Sequence, residues 1–245
     1  MPHLDIFGLA ESFCLANAGN LHWSLISKFT SKAPSEWKTD LGERIYASFL
    51  YTSISYSKNL NVAEDDVIGI NCIPLSLCAP FFITETKYVN SRSDIVVLVK
   101  LMSTFLIKNG ESNRQFARSS MAFNSDPFGA SHLESTKSQY KEIANFDDTE
   151  LKEIAEHKVI PSVDFNAAQF MYFANYCQLF KRYENSEQNA SIPIKFREIA
   201  YFANVDPFER ITFYTNQEDH KVLSAMKRSS DQKCIARSNC EYFQR

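Results

Sequence analysis

Asp164 and Asn166 stand directly before a run of residues with helical spacing, a place where a chain can support chemistry with little apparatus. Backbone N–H groups at a helix start converge on one spot and carry partial positive charge, so they can hold an oxygen on which negative charge develops. A carboxylate there can also act as a general acid or base. Ordinary N-capping, worth about 1 kcal/mol, is the plain alternative for both residues. Other reactive residue types are scattered. His3, His22, His132, His157 and His220 show no metal-ligand spacing, and Cys14, Cys72, Cys78, Cys177, Cys234 and Cys240 form no Cys-x-x-Cys pair. No zinc site is therefore expected. The G-x-S-x-G, H-E-x-x-H, G-x-G-x-x-G and G-x₄-G-K-[ST] motifs are all missing, and no residue pattern calls for a cofactor.

The elements that must position these residues follow from periodicity. Residues 9–30 place Leu9, Phe13, Leu15, Ala16, Leu21, Trp23, Leu25, Ile26 and Phe29 at intervals close to three and four, which predicts a helix despite Gly19. From 44 to 56 the chain turns β-branched, aromatic and serine-rich, a strand pattern. Further strands are expected at 67–77, 81–89, 95–108 and 114–123, with turns at Asn90-Ser-Arg-Ser and Asn109-Gly110. Residues 124–147 read as a loop marked by Pro127, Gly129, Ser131 and Ser135, followed by a short acid-led helix over 148–157. The first pattern then returns: a helix with an aromatic face over 164–180, then strands at 194–204, 210–215, 222–228 and 234–243. Glu43-Arg-Ile-Tyr-Ala-Ser-Phe49 and Arg197-Glu-Ile-Ala-Tyr-Phe202 each follow the helix of their half, which fits a duplicated module.

A long helix wrapped by an antiparallel sheet is the hot-dog arrangement, so the expected fold is α+β, a tandem or double hot-dog. The expected organisation is an N-terminal unit at 1–125, a connector at 126–157 and a C-terminal unit at 158–245. The site is expected where the helix start of one unit meets strands of the other. Composition narrows the function classes. The chain has 245 residues with 44% hydrophobic and 13% aromatic residues, enough for large cores without metal or disulfide. Its six glycines are about a third of the usual ~7%, which argues against a glycine-rich phosphate loop. A net charge of −3 gives no footprint for nucleic acid or anionic membrane. The start, Met-Pro-His-Leu-Asp, has no basic-then-apolar signal, and the cysteines read as reduced, so a cytoplasmic location is expected.

Three segments resemble the leinamycin-type acyltransferase/decarboxylase family: Gly19-Asn-Leu-His-Trp-Ser-Leu-Ile26 with Arg44-Ile-Tyr-Ala-Ser-Phe49, Glu111-Ser-Asn-Arg-Gln-Phe-Ala-Arg118, and Pro161-Ser-Val-Asp-Phe-Asn-Ala-Ala-Gln-Phe-Met-Tyr-Phe-Ala-Asn-Tyr176. The resemblance implies a double hot-dog protein of polyketide-type biosynthesis. Such a protein would take a malonyl- or methylmalonyl-type group from acyl-CoA, decarboxylate it, and pass the acyl group to an acyl carrier protein. Coenzyme A or phosphopantetheine would then be the substrate's carrier and not a resident cofactor. The resemblance makes Tyr46 the catalytic tyrosine, with Tyr51 in reserve, because strand parity would let only one of them face the cleft. A phenol is a weak nucleophile at neutral pH and needs a cation or donors nearby, and a packed sheet tyrosine is the alternative. Asp164 and Asn166 would hold the thioester oxygen as it becomes an enolate. Where the family often has glycine this chain has Ala167, whose β-carbon would narrow the approach. Asn113 and Arg114 would contact the thioester or the coenzyme's phosphates, unless Arg114 is a paired surface arginine. His22 would line the pocket, unless it is a satisfied core histidine. A hot-dog thioesterase or dehydratase using Asp164 is the alternative activity, and a non-catalytic acyl-binding module the third. A monomer or a homodimer of double hot-dogs is expected.

Overall fold

The computed structural model describes residues 3–58, 62–119, 121, 131–184 and 191–244. In chain order these form the short strands β1 (Leu4–Asp5) and β2 (Gly8–Leu9), then helix α1 (Glu11–Thr30) and a 3-10 turn (Pro34–Glu36). Strands β3 (Ile45–Tyr56), β4 (Gly69–Ser76), β5 (Phe81–Val89), β6 (Ile95–Lys108) and β7 (Phe116–Ser119) complete the first half. The second half holds α2 (Ser131–Ala144), β8 (Lys152–Lys158), α3 (Pro161–Asp164), α4 (Phe173–Glu184), β9 (Ile194–Tyr201), β10 (Arg210–Glu218), β11 (Lys221–Arg228) and β12 (Cys234–Tyr242). Apart from the β1–β2 pair, all strands join one ten-stranded antiparallel sheet in the order β4-β5-β6-β3-β9-β12-β11-β10-β8, with β7 beside β6. Each half contributes five of these strands, and the two halves meet where β3 pairs β9. This is the tandem hot-dog fold.

Helix α1 buries Glu11, Cys14, Leu15, Ala18, Gly19, His22 and Ile26, a stripe three and four residues apart, against the first half's strands. Helix α4 buries Phe173, Ala174, Tyr176, Cys177, Leu179 and Phe180 in the same central core. The two helices touch, and Gly19 makes this possible: a Cβ there would lie 2.6 Å from Cζ of Phe173. The main core therefore runs through both halves and includes Phe49, Leu101, Phe173, Phe180 and Phe213. At its inner end Arg197, with no exposed side-chain surface, is ion-paired to Glu11 (3.0 Å) and to Glu184.

Three sequence expectations are corrected here. Residues 131–144, read as loop, form α2, because Leu133, Thr136 and Ile143 fall on one face of an otherwise polar helix and dock on the outer side of the sheet. Arg237 closes its C-terminus by donating to the carbonyls of Ala144 (2.7 Å) and Phe146 (2.8 Å). Residues 152–158, read as the body of a helix, form the edge strand β8 of the second half, paired to β10. Ladder pairing overrides the helix propensity of Lys-Glu-Ile-Ala-Glu there, and the charged residues suit an exposed edge. The helix expected over 164–180 begins only at Phe173. Of the strand expected over 114–123, β7 covers Phe116–Ser119, and 122–123 lie outside the described residues, as do the loop markers Pro127 and Gly129.

Candidate active site

The cleft arises from a mismatch in pairing length. Strand β3 pairs β6 from Ile45 to Tyr56, but pairs β9 only from Tyr51 to Ser55. The first half of β3 therefore has no strand on its β9 side. The chain after β9 and the turn before α4 fill that gap incompletely. They leave a cleft of about 440 Å³, mouth included, lined by Trp23, Tyr46, Ala47, Ser48, Phe49, Leu106, Phe116, Asn166, Phe170, Met171, Phe173 and Asn204. Both halves of the chain build it.

Its walls are apolar and its polar groups are few. Tyr46 stands edge-on to Phe170, with ring centroids 4.9 Å apart, and Phe116 meets Phe170 at 5.1 Å. The Tyr46 hydroxyl and the Ser48 hydroxyl make no hydrogen bond to the described residues. Asn204 Oδ1 is buried and unpartnered among them. Asn166 is held by its own turn: its Oδ1 accepts from the N–H groups of Ala168 (3.0 Å) and Phe170 (3.2 Å), and its backbone N–H donates to the Phe170 carbonyl (2.8 Å). The Asn166 Nδ2 has no partner among the described residues, and the turn holds its side chain by the Oδ1. Four polar side chains with unused capacity among the described residues thus line one largely apolar cleft, the pattern of a small-molecule site. Among the described residues lining the cleft there is no Asp, Glu, His, Cys or Lys.

Of the sequence candidates, Tyr46 and Asn166 share the cleft, and the others are placed elsewhere. Asp164 does not line it. Its Oδ2 accepts from the Ile160 N–H (2.7 Å) and lies 3.5 Å from Nε2 of His157. Neither Asp164 nor Asn166 caps α4, because a hairpin-like turn closed by the Phe165–Met171 bridge separates them from it. The helix start expected at Asp164 and Asn166 is therefore corrected to a turn. Ala167 is exposed on that turn and narrows nothing.

Tyr51 is fully buried, and its hydroxyl donates to the Glu198 carboxylate, far from solvent beneath α2. Burial pushes up both the Tyr51 phenol and the Glu198 carboxyl. The parity argument that opposed Tyr46 to Tyr51 fails because a bulge at Leu50 inserts one residue. Tyr46 pairs with Leu106 and Tyr51 with Met102, four residues apart on β6, so both tyrosines share the outer face.

His22 is also away from the cleft. It is fully buried, with Nδ1 2.8 Å from Thr84 Oγ1 and Nε2 2.8 Å from Ser103 Oγ, and burial lowers its pKa to about 3. It supports the cleft through Phe49, whose ring centroid lies 5.0 Å away. Arg114 is not free for a phosphate: it pairs with Asp206 (3.2 Å), Glu209 and Asp231 (3.9 Å). Asn113 is a brace and not a ligand contact. Its Nδ2 donates to the Gln169 carbonyl (2.6 Å) in the Asn166 turn, and its Oδ1 accepts from Lys108 Nζ (3.1 Å). Ser48, Asn204 and the walls Trp23, Phe116 and Phe170 were not singled out as site residues by the sequence. Ser48 was accessible through i, i+2 spacing from Tyr46, whereas Asn204 arrives from 158 residues further along the chain and carries no local signal.

No protein-family model matches the sequence, and no curated protein matches it. Solved structures match along almost its whole length. An acyl-ACP thioesterase from Bacteroides thetaiotaomicron VPI-5482 superposes with a TM-score of 0.70 at 10% identity, covering 98% of this chain and 93% of that one. The 12:0-ACP thioesterase from Umbellularia californica gives 0.70 at 8% identity, over 100% and 94%. HtdX from Mycobacterium tuberculosis gives 0.58 at 8% identity, over 96% and 89%. These likenesses show the fold, the tandem hot-dog already described. They do not reach the leinamycin-type family that the motifs resemble.

Proposed function

We propose that this protein acts on acyl thioesters carried by coenzyme A or an acyl carrier protein, and that its reaction is their hydrolysis. The observation that carries the reading is the convergence of Tyr46, Ser48, Asn166 and Asn204 on one apolar cleft, each with an unused polar atom. The fold shared with two acyl-ACP thioesterases supports the choice of hydrolysis over acyl transfer. The Asn166 Nδ2 and the Tyr46 hydroxyl are the donors for the thioester carbonyl. As water adds to the carbonyl carbon, charge collects on that oxygen, where fixed donors in a dry cleft lower the barrier most. Asn204 Oδ1 and Ser48 Oγ accept hydrogen bonds from the attacking water and orient it. The C–S bond then breaks, and the water's proton leaves on the thiol.

A second reading has its own support. The described lining residues include no carboxylate, imidazole or thiol to serve as a base. Decarboxylation of a malonyl-type thioester needs none. The C–C bond breaks to release CO₂, and the electron pair passes into an enolate on the same oxygen, which the same two donors stabilise. A proton from water then adds to the α-carbon. The two are separated by incubating the protein with acetyl-, malonyl- and methylmalonyl-CoA and following products by mass. Free acid and thiol support hydrolysis, with Asn166→Ala expected to cut kcat by about 10²–10³. Acetyl- or propionyl-CoA from the malonyl substrates supports decarboxylation. A covalent adduct lost in Tyr46→Phe would revive acyl transfer, and binding without turnover would leave an acyl-binding module.

A further inference from the structure

Strand register brings three cations together on the cleft's outer side. Ile45 pairs with Ile107 and Tyr46 with Leu106, so Arg44, one step before Ile45, stands beside Lys108. Strand β7 continues both rows, with Phe116 opposite Lys108 and Arg118 opposite Leu106. Tyr46 and Leu106 face the same side, and side chains two apart share a face, so Arg44, Lys108 and Arg118 share it with the cleft-lining Tyr46, Leu106 and Phe116. Two of the cations lie against the cleft's own walls: Arg44 Cζ is 5.4 Å from the Tyr46 ring centroid, and Lys108 Nζ is 6.0 Å from that of Phe170.

None of the three is paired with a carboxylate among the described residues. Among the described residues the polar partner of Lys108 is the neutral Asn113 side chain. Five other arginines, Arg114, Arg197, Arg210, Arg228 and Arg237, have acidic partners; Arg182 has none among the described residues but is the single arginine of α4. Like charges on neighbouring strands destabilise a sheet, and although acids outnumber bases in this chain, 29 against 26, no described carboxylate is placed to offset these three. An unpaired cationic cluster at the mouth of an apolar cleft attracts an anion and raises its local concentration.

We propose that Arg44, Lys108 and Arg118 form an anion subsite that recognises a charged oxyanion on the cleft's ligand, resting on the reading of that cleft as a thioester site. The oxyanion has two chemical sources, a carboxylate on the acyl group or a phosphate on the pantetheine carrier. Arginine suits either through paired N–H donors.

The test measures Kd by calorimetry for four ligands on the whole protein and on the exposed-site variant Arg44→Gln/Arg118→Gln. The ligands are acetyl-pantetheine and malonyl-pantetheine, each as the unreactive analogue with the thioester replaced by an amide, pantetheine and coenzyme A. Acetyl-pantetheine carries no charge, so it reports on the cleft alone. Its failure to bind overturns the thioester reading without touching the comparison of coenzyme A with pantetheine. Malonyl-pantetheine binding about tenfold or more tighter than acetyl-pantetheine, with the advantage lost in the variant, places the carboxylate in the subsite. Coenzyme A exceeding pantetheine by that factor, with the same loss, places the phosphate there. The gain in either case should shrink with added salt. Equal affinities within both pairs, or an advantage that survives the double substitution in a variant with unchanged thermal unfolding, overturns the proposal.

Discussion

Acid should weaken this protein through His22 more than through any surface histidine. The imidazole is fully buried between α1 and strands β5 and β6, held by Thr84 and Ser103 and flanked by Phe49 and Phe82. Two hydroxyl partners satisfy a neutral ring, which donates to one and accepts from the other, but offer no countercharge to an imidazolium. Burial accordingly lowers its pKa to about 3, against about 6.5 for an unfolded chain. A histidine whose folded pKa is depressed binds its proton preferentially in the unfolded state. Its contribution is therefore intact above pH 6.5 and is lost as pH falls from there toward 3. Each pH unit in that window is worth about 1.4 kcal/mol, so a drop from pH 7 to pH 5 costs about 2 kcal/mol, and the full effect approaches 5 kcal/mol. Urea unfolding at pH 7, 6, 5 and 4 on the protein and on His22→Gln reads this directly. The variant cannot titrate there, while the remaining carboxylates and histidines act alike in both proteins. The stability difference should narrow by about 2 kcal/mol on going to pH 5. Parallel pH profiles, or an NMR titration placing the His22 imidazole near 6.5, would refute the reasoning.

Three further outcomes follow from the packing. Gly19→Ala should destabilise by about 1–3 kcal/mol, because its methyl would meet the Phe173 ring at 2.6 Å, and it should also lower ligand affinity since Phe173 is a cleft wall; thermal unfolding and acyl-thioester binding check both. Glu184→Gln should cost about 3–5 kcal/mol in urea unfolding, because the buried Arg197 loses one of its two carboxylates. Asn113→Ala removes the donor to the Gln169 carbonyl that steadies the Asn166 turn. About 1–3 kcal/mol of stability should go, with a larger rise in KM than Arg114→Gln produces, since Arg114 touches neither the turn nor the cleft.

Periodicity exposed the long elements because each side chain's exposure there is set by its own position in the chain. The three-and-four spacing over 9–30 marks α1, although within the helix only Leu15 and Ile26 of its named residues are buried. The stripe otherwise runs through Cys14, Ala18, Gly19 and His22, and the β-branched run from Ile45 to Tyr56 spans β3. Where an element draws its structure from a neighbour, local reading goes astray. Residues 152–158 have helix-forming composition but pair with β10, and 131–144 become a helix that hides only Leu133, Thr136 and Ile143. The duplicated order of helix and strands survives both exchanges, since it rests on α1 with β3 and α4 with β9.

The candidate site divides in the same way. Sequence by itself determined the two-fold plan of the chain and drew attention to Tyr46 and to the segment containing Asn166, through residue types and order. Only the tertiary structure decided which of the named residues meet. One extra residue at Leu50 turns Tyr51 onto the face of Tyr46, where α2 then covers it and Glu198 takes its hydroxyl. A turn in place of a helix start leaves Asn166 lining the cleft and holds the Asp164 carboxylate against the Ile160 N–H and His157. Asn204 enters because β9 leaves β3 at Tyr51 and the chain beyond fills the gap. The Tyr51 and Asn204 placements depend on strand register and on contacts between residues more than a hundred positions apart, which no local pattern encodes. The Asn166 turn, in contrast, is closed by bonds within four residues that the helical spacing around it masked.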